Sequence, residues 1–215
     1  MSASRWSILV LSLWGLASAC TPFLFEEPQP AGLAALARFG PEVQGAFVAD
    51  GDTIWVEERA VVLSESSEVR VAETDLSDRE LDIRNGRLVH LPTGQTMAFS
   101  RDGDTLTYTA TEYLRIGISD TFVVKLDRGV YFANLYAGDG WSLYLLNREG
   151  NADLRLRTIN VSEDLEAIQA LIPVDTIRNA EGEIDYYLAR PSRRELWKVI
   201  KQDLFHDDNY FEPLE

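Results

Sequence analysis

Residues 120–147, DTFVVKLDRGVYFANLYAGDGWSLYLLN, restrict the fold more than any other stretch of this chain. A strand with one wet face alternates polar and apolar side chains, but these runs are apolar on both faces. Such strands need cover from both sides, so this hairpin reads as the centre of the core. Asp127-Arg128-Gly129 and Gly138-Asp139-Gly140 supply its turns. The β pattern extends from Val43 to Thr158. GAFVADGDTIWVEE places Asp50-Gly51 between two apolar strands, and RDGDTLTYTA repeats the signal at Asp102-Gly103. In the second stretch Leu106, Tyr108 and Ala110 alternate with Thr105, Thr107 and Thr109, as one buried and one wet face require.

Helical patterns come late. VSEDLEAIQALIP offers Ser162 as an N-cap, acidic residues in the first turn, and Pro173 after the last. PSRRELWKVIKQDLF has Ser192 and Glu195 in capping-box spacing, with Leu196, Val199, Ile200 and Leu204 along one face. EIDYYLAR, between them, reads as a strand. The expected fold is mainly β (α+β): an antiparallel sheet forming a sandwich or partly open barrel, with one or two helices packed late in the chain. EVRVAETDLSDRELDI (68–83) aligns without gaps on DLRLRTINVSEDLEAI (153–168), matching Arg70 with Arg155, Ser77 with Ser162 and Ile83 with Ile168. The match raises a two-fold internal duplication, with halves at 41–98 and 125–205 and Ser77 capping a short helix. The remaining expectations are a leader at 1–19, a tether within 20–40, a β-rich domain at 41–205 and a loose acidic tail at 206–215. AGLAALARFG (31–40) is expected to form a short helix closed by Gly40.

The first nineteen residues have the layout of a secretory leader: Arg5 as the only charge, the apolar run WSILVLSLWGL, then small Ala-Ser-Ala. The run is shorter than the roughly 20 residues a spanning helix needs. Leu16-Ala17-Ser18-Ala19-Cys20, ending in the only cysteine, resembles the lipobox of bacterial lipoprotein precursors. The resemblance implies that the Cys20 thiol receives a diacylglyceryl group, that the leader is cut before it, and that the new amino terminus is acylated. Ala17 stands where the family favours Leu. Thr21 in place of Asp after the cysteine implies the outer membrane, facing the periplasm. An ordinary leader followed by an incidental thiol, or an uncleaved signal anchor, are the competing readings. The chain as a whole is similar to proteobacterial envelope lipoproteins in its leader, its tyrosine-rich central hairpin and its capped final helix.

Without the leader the chain keeps 196 residues and a net charge of about −16, since Arg5 is the only charge removed. An acidic excess of that size argues against nucleic acid, which demands a basic footprint. No cysteine remains for a disulfide.

Chemistry is sparse. His90 lies in a strand pattern and reads as a hydrogen-bonded structural histidine. His206 with Asp207 and Asp208 has metal-ligand residue types, but sits in the expected tail, where no rigid frame makes ligands converge. The two DGDT runs open like calcium loops, yet Ile54 and Leu106 fill the fifth position, where an oxygen ligand is required. Glu57 and Glu58 are adjacent on a strand and point to opposite faces, so they do not form a glycosidase pair. Asn160-Val161-Ser162 matches a glycosylation sequon that the bacterial leader makes accidental. No nucleophile elbow, phosphate loop or dinucleotide fingerprint occurs. No cofactor and no metal are expected.

Arg193, Arg194, Lys198 and Lys201 gather on the last helix of an otherwise acidic protein. They read as a solvated face paired with the acidic tail, or as a contact face for anionic headgroups. The function expected first is a non-enzymatic, lipid-anchored envelope module that binds another envelope protein or serves as an accessory. An inhibitor of a cationic hydrolase such as a lysozyme comes second. A hydrolase whose site is assembled from distant residues, including His90, comes third.

Overall fold

The computed structural model describes residues 21–49, 52–149, 153–159, 161–205 and 207–214. Among these residues sixteen strands form a large, mainly antiparallel sheet and a small three-stranded one. The first half contributes β1 (Phe23–Phe25), β2 (Gly45–Ala49), β3 (Asp52–Val56), β4 (Ala60–Ala72), β5 (Leu81–Arg84), β6 (Arg87–His90), β7 (Thr96–Met97) and β8 (Phe99–Asp102). Then come β9 (Thr105–Gly117), β10 (Phe122–Asp127), β11 (Val130–Tyr136), β12 (Trp141–Glu149) and β13 (Asp153–Thr158). Helix α1 (Val161–Gln169), β14 (Val174–Arg178), β15 (Ile184–Ala189), helix α2 (Arg193–Lys201) and β16 (Asp207–Pro213) complete the order.

The mainly β expectation holds. The central meander β10-β11-β12 is covered on both faces, as its two-sided apolar pattern requires. One face of β11 and β12 carries Phe132, Leu143 and Leu145, which pack with Ile168 and Ile172 at α1 and with Leu196, Val199 and Ile200 of α2. The other face carries Tyr131, Ala133 and Leu146, which meet Phe47, Ile54, Val56 and Val61 from β2, β3 and β4. The ladder from β11 through β12, β13, β16, β2 and β3 to β4 and β9 brings these strands around a shared interior without closing. The result is a part-open barrel with two helices against its outer face.

The ladder ends at β10 on one side and at the barrel end of β9 on the other, and these two strands share no pairing, which leaves the opening. Irregular chain fills part of it: Leu36 N–H donates to Val124 O at 2.7 Å, and Phe39 N–H to Glu58 O at 2.8 Å. Residues 31–40 are therefore not the expected helix, because Leu36 and fully buried Phe39 serve the barrel and not a helical face. The expected tether is also part of the fold. β1 pairs in parallel with β15 and at Phe25 with Trp141 of β12. Gly140 permits this approach, since a Cβ there would sit 2.9 Å from both Leu24 Cβ and Phe25 O. Further on, Lys125 Nζ donates to Pro28 O at 2.6 Å and Pro30 O at 3.0 Å. Asn134 accepts from Gln29 N–H at 2.6 Å and returns a bond to Gln29 O at 2.9 Å. Prolines hide this segment from a strand pattern, while two distant buried side chains satisfy its backbone.

The tail expectation fails as well. Residues 207–213 form β16, which joins β13 to β2 inside the large sheet. The Asp50-Gly51 turn lies outside the described residues, although β2 and β3 pair up to Ala49 and Asp52. Helix α2 has the expected capping box at Ser192 and Glu195. Helix α1 starts at Val161, so Ser162 lies in its first turn and not before it.

The two aligned segments share the order strand, helical turn, hairpin. Residues 73–79 form only two 3-10 turns, however, and Leu76, not Ser77, occupies the second turn's N-cap, with no side-chain cap. The outer ends of β4 and β9 lead to a distal module in which β5, β6 and β7 pack over Val71, Leu106 and Tyr108. The expected boundary at residue 98 falls between β7 and β8, inside this module.

Candidate functional site

Alternation along the barrel strands turns one set of side chains inward. Val61 and Leu63 on β4 stand opposite Ile116 and Leu114 on β9, and Ala133 and Leu135 on β11 stand opposite Tyr144 and Ser142 on β12. Leu146 on β12 faces Leu156 on β13. Most of these side chains pack in one core cluster, which leaves part of the interior unfilled. They line a cavity of about 550 Å³, together with Phe122, Phe25 and the stretch from Thr21 to Phe23. That volume lies within the range of small-molecule sites, roughly 300–1,000 Å³. Val161, at the start of α1, also lines it.

The walls are apolar with few exceptions. Ile54, Ala133, Leu143 and Leu146 are buried, whereas Leu114 is 41 % exposed and marks the rim. The polar groups gather on β12, β13 and the first described residues: Ser142, Tyr144, Thr158 and Thr21. Thr158 Oγ1 donates to Leu143 O at 3.3 Å. The side-chain hydroxyls of Ser142 and Tyr144 make no hydrogen bond to another described residue. Burial pushes the Tyr144 phenol up, so it stays a neutral donor and acceptor at the wall. An apolar room with a few hydroxyls in its wall suits a ligand with a hydrocarbon body and one polar end.

Cys20 lies outside the described residues. Thr21, which follows it, already lines the cavity. His206 is likewise outside them, and Asp207 and Asp208 pair along β13 as part of β16. His90 lies on β6, where Nδ1 is 2.8 Å from Thr93 Oγ1. Glu57 pairs with Arg115, and Glu58 with Arg38 at 3.2 Å. Ile54 and Leu106, the apolar residues of the two DGDT runs, are buried in separate cores. Among the described residues no three His, Cys, Asp or Glu side chains are grouped to hold a metal ion.

Among the described residues no ion pair joins the basic residues of α2 to the terminal segment. Arg193 reaches instead to Asp127 at the end of β10: Nε donates to Oδ2 at 2.7 Å and Nη2 to Oδ1 at 2.5 Å. Trp197 Nε1 donates to the same Oδ2 at 2.6 Å. These bonds, the Arg193 guanidinium first, hold the buried Asp127 carboxyl below its ordinary range although burial opposes them.

The cavity is barely legible in the sequence. Its only signal was the period-two pattern, which names an inner face but not whether that face is filled. No protein-family profile, curated protein sequence or solved structure matches the chain. Among the described residues no helix is long and apolar enough to cross a membrane.

Proposed function

We propose that this chain is a lipid-anchored envelope protein, held through Cys20, whose part-open barrel binds the hydrocarbon chain of a lipid without transforming it. The observation that carries the reading is the apolar cavity, with Thr21 and Pro22 in its wall. Residues that directly follow the expected anchor thus line the room where the ligand sits. Acyl chains on Cys20 would keep the domain at a bilayer, the source of such ligands. The hydrocarbon body gains by leaving water at about 25 cal/mol per Å² buried, and the hydroxyls of Ser142 and Tyr144 accept or donate to its polar end.

The test is titration of the Cys20→Ser protein with a fluorescent fatty acid, together with mass analysis of lipid extracted from protein made in its native host. Saturable uptake with one site per chain is expected, and Ala133→Phe, which fills the cavity from its wall, should reduce it about tenfold or more, as loss of a ligand-shaped volume would. If the folded protein takes up no probe and carries no extractable lipid, the binding reading fails. Intact mass of the native product tests the anchor separately: an unmodified Cys20 thiol removes it.

A further inference from the structure

The turn joining β10 to β11 places a side chain where its backbone is least comfortable. Arg128 and Gly129 have φ of 52° and 80°. Positive φ at both central residues is the type I′ arrangement, for which Asn-Gly is the favoured pair. Glycine meets that demand at 129, but Arg128 carries a Cβ into the left-handed region. The side chain so placed lies over α2, with its guanidinium carbon 4.8 Å from the centre of the Trp197 ring. Trp197 and Arg193 both donate to Asp127, which anchors the platform beneath Arg128 to the end of β10.

Arg128 thereby joins Arg194, Lys198 and Lys201 around an open groove of about 500 Å³ beside Trp197. Asp127 is committed to Arg193. Glu195, the acidic residue of the helix, turns back to Ser192 in the capping box. Among the described residues no carboxylate forms an ion pair with Arg128, Arg194, Lys198 or Lys201. Four cations from two distant elements thus converge on a chain of net charge −15, with only Glu195 and Asp127, both already bonded elsewhere, acting on them from nearby. Mere solubility does not require that convergence, nor a strained turn to complete it.

We infer that this groove binds a phosphate group, of the kind an anionic phospholipid presents at its headgroup. A planar guanidinium and flexible ammonium groups together match a phosphate's several acceptor oxygens. The inference is independent of the cavity, and holds whether or not the barrel takes up a hydrocarbon chain.

The test uses the Cys20→Ser protein, so that no acyl anchor contributes. Sedimentation with phosphatidylcholine vesicles, with and without phosphatidylglycerol, is compared with calorimetric titration of glycerol phosphate. The variant Arg128→Asn, Arg194→Gln, Lys198→Gln, Lys201→Gln leaves Asp127, Arg193 and Trp197 in place and should keep the wild-type melting temperature within a few degrees. A control of equal charge loss replaces Arg70, Arg84, Arg87 and Arg101 in the distal module with Gln. Binding that needs phosphatidylglycerol, weakens with salt and falls about tenfold or more in the groove variant only supports the site with a headgroup as its ligand. Binding of glycerol phosphate with the same pattern, without vesicle binding, supports the site with a soluble phosphate ester. Absence of both, or equal losses in the groove and control variants, overturns the inference.

Discussion

The barrel and the distal module are built on the same two strands, β4 and β9, yet are stabilised differently. The two strands pair without interruption over thirteen residues, from Ala60–Gly117 to Ala72–Thr105. At the barrel end Val61 and Leu63 face Ile116 and Leu114; the first three join the barrel core, and Leu114 stands exposed at its rim. At the far end Val71 faces Leu106, and Val69 faces Tyr108, over a small cluster completed by Leu76, Leu81 and Leu88. Between the two, Glu65, Ser66, Ser67 and Glu68 are exposed, and Glu65 stands directly opposite Glu112. Like charges placed so oppose pairing. Beyond the backbone ladder, the described contacts at this waist are polar: the Ser66–Thr111 hydroxyl pair at 3.0 Å, Ser66 N–H donating to Asp52 Oδ1 at 3.3 Å, and an exposed Glu68–Arg70 pair. A continuous ladder is therefore not a continuous core: register is fixed at both ends, where a one-residue slip would expose an apolar face, and not in the middle.

Two substitutions separate these regions. Phe132→Ala removes a fully buried ring at the junction of the barrel with α2. It should cost about 3–5 kcal/mol, enough to unfold the whole domain or nearly so. Chemical denaturation followed by tryptophan fluorescence measures this, since Trp197 lies 5.9 Å from that ring. Leu106→Ala, in the distal cluster, should cost about 2–4 kcal/mol, but locally. Amide exchange is expected to quicken in residues 69–110 while β10 to β13 stay protected. Uniform loss of protection across both regions would show that the two cores unfold as one unit.

Asp127→Asn tests the anchorage of α2 against the barrel. The carboxylate bonds both Arg193 and Trp197, but Arg193 is nearly half exposed and rehydrates when unpaired. A loss of about 1–2 kcal/mol is expected, below the figure for a fully buried pair. Its pH dependence has a fixed sign. Asp127 is held below its ordinary value, so its contribution is complete above the unfolded pKa near 3.9 and disappears as pH falls through the lower folded value. The difference in denaturation midpoint between wild type and variant should therefore be constant near neutrality and shrink only in acid. A difference that instead grew on acidification would contradict the assignment.

The smallest effect has the opposite sign. Arg128→Asn relieves a left-handed arginine and should stabilise the β10–β11 turn by about 0.5–1 kcal/mol, less whatever the contact with Trp197 contributes. A thermal melt of the single variant reads this directly. Clear destabilisation would mean that stacking on Trp197 outweighs the strain, and that Arg128 is placed for stability.

Much of the barrel was legible because its signals are local. Alternation names strands, Gly-containing turns separate them, and the Ser192–Glu195 box starts a helix; each signal is complete within a few residues. β16 was not legible: DDNYFEP has no strong alternation, and it becomes a strand because β13 and β2 leave a place between them. Residues 21–40 failed for a related reason. Their prolines break any period, and the groups that fix them, Lys125 and Asn134, lie about a hundred positions away. The candidate cavity was hidden more deeply, since an inward-facing Leu63 or Leu135 reads the same whether its interior is packed or open.

The amino-acid sequence by itself determined a two-sided central meander, two late helices and an excess of acid interrupted by basic residues near the C-terminus. Backbone sterics and side-chain periodicity act over short distances, and these features need nothing more. Only the tertiary structure decided that the barrel stays open around a cavity, that the terminal segment is a strand, and that Arg128 meets the cations of α2. Those outcomes depend on which distant surfaces find each other when apolar area is buried, and burial carries no local signature.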